Sequence, residues 1–300
     1  MKTTIELTQN NSNVPLLSKN RWSINAYLFL LPSLAALIVF VFIPFFQTLE
    51  RSLYLTDNMG KNALFIGLEN YILLFKDPSF YNSLFVTLNY VAIVVVVGVL
   101  LGFTTALLCQ KSFPGVKIFS TAYALPLAIA SSGMALVFGV MLNQTTGILN
   151  RLLHTNINWI ADPKYAIWSV GILTGWLNSG MNFLFFSSGL AGISENLYES
   201  ASIDGANQFH KLIYITIPSL MPITFFVVVT NIINAFQSFG QIKLLTQGGP
   251  GESTNVIVHD IYRNAFMNYR YGYASAESVI LFFIIMIFTY FMFRARKRGL

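Results

Sequence analysis

This 300-residue chain is 55% hydrophobic and only 10% charged, with a net charge of +6. An average soluble domain carries about 25% charged residues, so an ordinary soluble enzyme or binding module is excluded. The single Cys109 rules out an internal disulfide, and no Cys/His cluster has the spacing of a metal site.

Residues 1–24 are rich in Asn, Thr and Ser and lack a hydrophobic period, so they are expected to form a disordered or loosely surface-bound tail. Six apolar runs follow, near Ala26–Phe46, Leu84–Leu108, Ile118–Leu142, Ala166–Leu190, Ser219–Leu245 and Ala276–Phe293. They are long enough to cross a hydrocarbon core about 30 Å thick, which takes roughly 20 helical residues. Backbone polar groups find no water there, so only helices or a closed barrel can span it. The length of the runs and their lack of alternation point to helices. The first run is too long for the 7–15-residue apolar region of a cleaved signal, follows about 25 polar residues, and is not followed by a small-residue cleavage site. It is expected to remain as a span.

Between the first two runs, Asp77-Pro78 reads as a turn or helix start. With Tyr71, Phe75, Phe80 and Tyr81, that segment suggests an amphipathic helix at the membrane surface. Gly98/Gly102 on the second run and Gly171/Gly175 on the fourth are GxxxG pairs, which support close helix packing in lipid and nothing more specific. The stretch Thr246–Asn255, TQGGPGESTN, lacks the lysine of a nucleotide-binding loop and reads as a series of turns. His154, His210 and His259 fall in three different loops, where an exposed, bland role is expected for each.

The basic residues cluster by side. Lys2, Lys19 and Arg21, then Lys111 and Lys117, then Lys211, then Arg294, Arg296, Lys297 and Arg298 share one side of a six-span arrangement. The longer opposite loops mix acids and bases. Because Lys and Arg density in short segments sets orientation, both termini are expected to be cytoplasmic. The basicity is topological and requires no nucleic-acid partner.

Polar residues within spans are costly and mark either a solute path or interhelical bonds. Asn231, Asn234, Ser238 and Gln241 are spaced three, four and three apart, which puts them on one face of a continuous helix. Asn178 and Asn182 share a face of the fourth run. Such amides, with aromatics like Phe236 and Tyr123, suit hydroxyl-rich solutes. The alternative is hydrogen bonding between helices or with a second subunit, at about 0.6–2 kcal/mol per bond. Lys243, near the end of the fifth run, is expected to snorkel to the interface.

The loop 191–218 carries an island of charge between two spans. Ser194 stands at a plausible helix start, residues 195–203 read as a short helix, and Gly205 can take the positive φ that turns the chain. A second helix over about 207–216 should stop before Pro218. Glu199, Ala201, Asp204-Gly205-Ala206, Ile215 and Pro218 resemble the EAA loop of binding-protein-dependent ABC transporter permeases, E-A-A-x-x-D-G-A followed by I-x-L-P, with Ser200 and Ile217 as the two departures.

The resemblance extends to FIGLENYILLFKDPSFYNSL, MNFLFFSSGLAGISENLYESASIDGA, LLTQGGPGESTNVIVHDIYRNAF and GYASAESVILF. Together these are similar to the first permease of the sugar and sn-glycerol-3-phosphate importers. That resemblance implies an all-α membrane protein with six transmembrane helices and the type I ABC importer permease fold. Residues 1–24 would be a cytoplasmic tail and 25–300 the permease domain. It implies a bacterial inner or plasma membrane location and partners: a second homologous permease, two ABC ATPase subunits and an extracytoplasmic solute-binding protein. This chain would bind no cofactor, ATP and Mg2+ being handled by the ATPase. Glu199, Ala201, Asp204, Gly205, Ala206 and Pro218 would form the ATPase-coupling loop.

Two other classes compete with this reading. A secondary transporter of a small polar solute uses intramembrane carboxylates or broken helices, and Glu277, near the edge of the last run, is the one candidate. An intramembrane enzyme would need a nucleophile with a base, or a motif such as H-E-x-x-H, and the sequence has neither. Neither alternative explains the 191–218 loop.

Overall fold

A computed structural model describes residues 24–110, 113–128 and 131–299. Most of the predicted N-terminal tail, and Lys111 in the following basic cluster, lie outside the described residues. The chain divides at Gln47/Thr48 into two compact units.

In the first unit the described residues are helical. Helix α1 (Ile24–Leu37) passes through a π-helical turn (Ile38–Phe42) into α2 (Ile43–Arg51), which runs into the second unit. Among the described residues, Leu28–Arg51 is one of four helices long and apolar enough to cross a membrane, as expected for the first apolar run.

The second unit begins with a feature the helical reading missed, a two-stranded antiparallel sheet of β1 (Tyr54–Thr56) and β2 (Asn62–Phe65). Its turn is set locally. The Asp57 carboxylate accepts from the backbone N–H groups of Met59 (2.9 Å) and Lys61 (2.8 Å), and Gly60 takes φ +77. Strands of three and four residues are too short to show a hydrophobic period. The short helix α3 (Glu69–Leu74) follows, and then α4 (Pro78–Gln110). Helix α4 starts where Asp77-Pro78 predicted, with Asp77 Oδ1 accepting from Ser79 N at 2.9 Å. The amphipathic helix expected from Tyr71 to Tyr81 is divided between two elements: Tyr71 lies on the short α3 and Phe75 follows its last residue. Phe80 and Tyr81 belong to the first turn of a 33-residue span.

The third apolar run is broken. Helix α5 (Val116–Ala124) leads into a 3-10 turn at Leu125–Ala128, and α6 (Ser131–Met141) follows. Val116–Leu127 and Ser132–Met141 together form a pair bent by 104°, and Pro126 in the 3-10 turn has no N–H with which to continue an α-helix. After the short α7 (Ile148–Leu153), helix α8 runs from Pro163 to Ala191. Asp162 caps it, accepting from Lys164 N, and Pro163 occupies its first turn. At 29 residues α8 is about 43 Å long, yet it has no stretch apolar enough to stand among the four candidate spans of the described residues. Asn178, Asn182 and its glycines and serines dilute its hydropathy.

Helices α4 and α8 pack in parallel, and both GxxxG pairs lie in the contact. A Cβ on Gly175 would sit 2.8 Å from that of Val97, and one on Gly102 would sit 2.5 Å from that of Asn182. Small residues are what allow two helix backbones to approach this closely. The buried core around them has two parts. One gathers Tyr90, Val94, Val170, Phe236, Ile257 and Leu281, and the other Ala106, Phe183, Phe186, Leu190, Leu220 and Val227.

The fifth span differs most from expectation. A continuous helix crosses Gln208–Phe236, built from α10 (Gln208–Lys211), a π-helical turn (Leu212–Thr216) and α11 (Ile217–Phe236). Pro218 does not end a helix. The π turn bonds Ile217 N to Leu212 O, and this widened turn accommodates a ring that would otherwise collide with the carbonyl four residues back. The span then ends early, at Phe236, and a short α12 (Gly240–Leu245) follows. The chain closes with α13 (Ile257–Tyr262), a π turn (Arg263–Met267) and α14 (Tyr271–Gly299), which contains the last span.

Candidate functional site

The loop between α8 and the fifth span folds as a short helix, a glycine turn and a second helix. Helix α9 is Glu195–Ile203, beginning after Ser194, whose side chain makes no capping bond. It ends in a Schellman motif: Ala206 N donates to Ala201 O at 2.8 Å and Gly205 N to Ser202 O at 3.2 Å, with Gly205 at φ +80. No atom lies within 4 Å of where a Gly205 Cβ would stand, so the backbone conformation alone demands glycine there. Asn207 then caps the following helix, its Oδ1 accepting from His210 N at 2.9 Å.

Side chains bind the two arms together. The hydroxyls of Tyr198 and Thr216 are 2.9 Å apart, and Lys211 donates its ammonium to Ser202 Oγ. Glu199, Asp204 and Gly205 are exposed, while Ala201 and Ala206 line a concavity of about 400 Å3 with Asp204, Gly205, Lys211 and Tyr214. Two large apolar side chains beside it face outward, Ile203 at 87% exposure and Phe209 at 65%. Pro218, the last residue of the motif, is exposed on the fifth span beyond the π turn.

The polar residues of the spans do not form a single stripe. Asn182 and Asn231, both buried, bond each other twice, Asn231 Nδ2 to Asn182 Oδ1 at 2.7 Å and Asn182 Nδ2 to Asn231 Oδ1 at 3.2 Å. Asn231 Nδ2 also donates to Val227 O at 2.8 Å. Asn234 is exposed although only three residues from the buried Asn231, and Asn178 is half-buried. Because the helix ends at Phe236, Ser238 and Gln241 lie beyond it, and the face predicted from a spacing of three, four and three is broken. They join a different group: Tyr90 donates to Thr174 Oγ1 (2.8 Å), its hydroxyl is 2.9 Å from Ser238 Oγ, and Ser238 donates to Gln241 Oε1 at 3.5 Å. Of the two aromatics, Phe236 is buried, and Tyr123 bonds Ser179 through its hydroxyl at 2.7 Å.

A second polar cluster has no counterpart in the sequence reading. Arg263 makes ion pairs with Glu252 (2.7 Å) and the buried Asp260 (2.6 Å), and it donates to Ser79 Oγ at 3.2 Å. These contacts tie the Gly-rich loop to the start of α4. The loop does consist of turns, with Gln247, Gly248, Gly251 and Glu252 all at positive φ.

One expectation fails in this region. His259 is not an exposed loop residue: it is 3% exposed, with Gly248 pressed against its ring and Phe239 stacked on it. Asn255 donates to Asp260, so its Oδ1 accepts from His259 Nδ1 at 2.8 Å, and Nε2 is left buried with no partner among the described residues. Burial, reinforced by the nearby Lys243 and Arg263 charges, lowers the His259 pKa against the opposing pull of Asp260. Glu277 is fully buried and accepts from Asn264 at 3.3 Å. Nothing in the sequence near 259 or 277 distinguishes them, because Gly248 and Phe239, which bury His259, and Asn264, which bonds Glu277, lie eleven to twenty residues away. Lys243 lies on α12 with its ammonium 4.7 Å from the Tyr262 ring centre.

Residues 22–299 match the family described as the binding-protein-dependent transport system inner membrane component. The chain belongs to that family: it is an inner-membrane permease of a binding-protein-dependent ABC importer, and not an enzyme. Among its relatives, it is 34% identical to the sn-glycerol-3-phosphate transport system permease protein UgpA of Agrobacterium fabrum, covering 89% of this chain and 93% of that one. It is 32% identical to the probable ABC transporter permease protein YurN of Bacillus subtilis, covering 93% and 98%. The fold matches a chain of a bacterial ABC transporter that imports the acidic polysaccharide alginate, with a TM-score of 0.80 at 22% identity, covering 92% and 96%. That match gives the chain the ABC importer permease fold, and membership of the family removes the self-contained secondary transporter.

Proposed function

We propose that this chain is one of two related permeases in a type I importer for a sugar or sn-glycerol-3-phosphate-like solute, driven by a separate pair of ABC ATPase subunits. The solute class rests on the UgpA relatives, which are named for sn-glycerol-3-phosphate transport. An extracytoplasmic binding protein would deliver the solute; one structure of the alginate transporter contains such a periplasmic protein bound to an alginate pentasaccharide. ATP and Mg2+ would be held by the ATPase, since this chain has no phosphate-binding loop.

Six spans are the reading that accounts best for the chain. Four helices qualify singly, the bent pair makes a fifth, and the 29-residue α8 a sixth. An even number puts both ends of the permease domain on one side, and Lys211, Arg294 and Arg296 favour the cytoplasm for that side.

The observation that carries the coupling role is the Schellman-capped helix and turn at Glu195–Ala206. It presents Glu199, Asp204 and Gly205 to solvent while Tyr198 and Lys211 lock it to the base of the fifth span. A push on such a knob moves that span. Ala201 and Ala206 let a partner surface approach, and Glu199 and Asp204 offer it acceptors. Asn178 and Asn234, which make no side-chain bond among the described residues, are the amides available to a solute. Asn182 and Asn231 would reach it only by opening their mutual pair.

The test is affinity purification of the tagged protein from mild-detergent membranes, with and without Gly205→Pro. Recovery of an ATPase subunit and a second permease, with the ATPase lost from the variant, supports the proposal. A single species with no ATPase refutes it.

A further inference from the structure

At the end of the α4/α8 pair that carries Pro78 and Pro163, a cavity of about 520 Å3 is lined by Asn82, Phe85, Asn89, Lys164, Trp168 and Ser253. Asn82, Phe85 and Asn89 follow at intervals of three and four and so form one stripe of α4, while Lys164 and Trp168, four apart, form the facing stripe of α8. Trp168 also lines a second cavity of about 370 Å3, walled by Leu101, Phe138, Leu142, Ile172 and Trp176 and almost wholly apolar. A polar mouth and an apolar pocket thus share one aromatic wall.

The charge at the mouth is uncompensated. Lys164 is exposed, and among the described residues it makes no salt bridge. Its ammonium lies 5.3 Å from the ring centre of Tyr165, which lines the apolar cavity. The neighbouring Asp162 carboxylate is engaged with the backbone N–H of Lys164. Ser253 Oγ is buried with no partner among the described residues. Trp168 is 56% exposed and Phe85 66%. Lysine and tryptophan together at the end of a span are the side chains that settle at headgroup depth.

We propose that these two cavities bind one anionic glycerophospholipid. Its phosphate sits at the Lys164 ammonium, its headgroup hydroxyls bond the Asn82 and Asn89 amides and Ser253 Oγ, and an acyl chain passes Trp168 into the apolar pocket. A free glycerol phosphate would satisfy the mouth and leave the pocket empty. A helix of another subunit would cover Trp168 without supplying an anion to Lys164. A phospholipid matches both halves, and membership of an inner-membrane family supplies it as the surrounding solvent.

The experiment is native mass spectrometry of the transporter, purified with the subunits it retains and delipidated in detergent. Phosphatidylglycerol or phosphatidylethanolamine is then added back, with sn-glycerol 3-phosphate as a third arm. Retention of about one phosphatidylglycerol per chain is expected, with weaker retention of phosphatidylethanolamine and no displacement by sn-glycerol 3-phosphate. Lys164→Gln, at an exposed position, should reduce phosphatidylglycerol retention about tenfold while leaving the subunit composition unchanged. Asn89→Ala provides a second variant expected to lower it. Equal retention of both lipids, or retention unaffected by both variants, overturns the proposal. Displacement by sn-glycerol 3-phosphate would overturn it in favour of a solute subsite, and loss of a subunit from the Lys164 variant would overturn it in favour of a protein interface.

Discussion

The side-chain amides of Asn182 on α8 and Asn231 on α11 face each other and exchange two hydrogen bonds, of 2.7 and 3.2 Å, among buried surroundings. The pair forms beside Gly98, whose missing side chain leaves room for it: a Cβ there would stand 3.2 Å from Asn182 Nδ2 and 3.3 Å from Asn231 Oδ1. Helices α4, α8 and α11 therefore meet at one small polar junction, and substitutions at either amide report on its strength. Asn231→Leu and Asn182→Leu should each destabilise the protein, and the double variant should lose less than the sum. The expected coupling is about 0.6–2 kcal/mol, read from a double-mutant cycle on thermal unfolding in detergent. Strict additivity would mean that the pair contributes nothing as a pair.

Gly102 meets the same helix one turn further along. Its substitution by Ala would bring a Cβ to 2.5 Å from that of Asn182 and 3.0 Å from the backbone nitrogen of Phe183. A backbone neighbour cannot rotate away, so Gly102→Ala should cost about 1–3 kcal/mol through overpacking. Gly139→Ala, where the nearest atom is 3.6 Å away, is the control expected to leave the melting temperature nearly unchanged.

The base of the loop offers a finer cut than removing its glycine. Tyr198→Phe deletes only the hydroxyl bonded to Thr216, a loss of about 1 kcal/mol. Transport per ATP hydrolysed in proteoliposomes should fall while the amount of assembled complex stays the same. An unchanged ratio would show that the bond carries no motion.

His259 predicts a pH dependence. Its pKa is lowered in the folded protein, so the folded state resists a proton that the unfolded chain accepts. The stability this contributes is present above the unfolded value, about 6.5, and is lost progressively as pH falls below it. The slope is at most about 1.4 kcal/mol per pH unit for one proton. Melting temperatures between about pH 7.5 and 5.5, a window that brackets the unfolded value, should fall less steeply for His259→Gln than for the natural protein. Parallel curves would mean that the ring takes up its proton without resistance.

Local signals in the sequence are reliable wherever the structure itself is local. Glu195–Ile203 is helical to the residue, Gly205 takes the positive φ, Asp77-Pro78 starts a helix, and the GxxxG glycines lie in a helix contact. The reading fails where a distant or neighbouring element changes the rule. Proline usually ends a helix, but at Pro218 a π turn upstream removes the clash. Ser238 and Gln241 match a helical period that stops before it reaches them, and Ser238's partner Tyr90 lies on another span. His259 has the sequence context of a loop residue and is buried by Gly248, Asn255 and Phe239. Burial of that kind depends on how a Gly-rich loop folds back, which a hydrophobic period does not encode.

The exposed face of the 195–206 knob should meet the ATPase, and cross-linking examines that contact without intermediate steps. Cys109, the one native cysteine, is replaced with Ser, Ala201→Cys is introduced, and a short bifunctional thiol cross-linker is applied to native membranes. The expected product contains this chain and an ATPase subunit, and it diminishes when Asp204→Lys is added. Cross-linking to an extracytoplasmic protein instead, or labelling of the introduced thiol by a membrane-impermeant reagent from outside intact cells, would refute the coupling role.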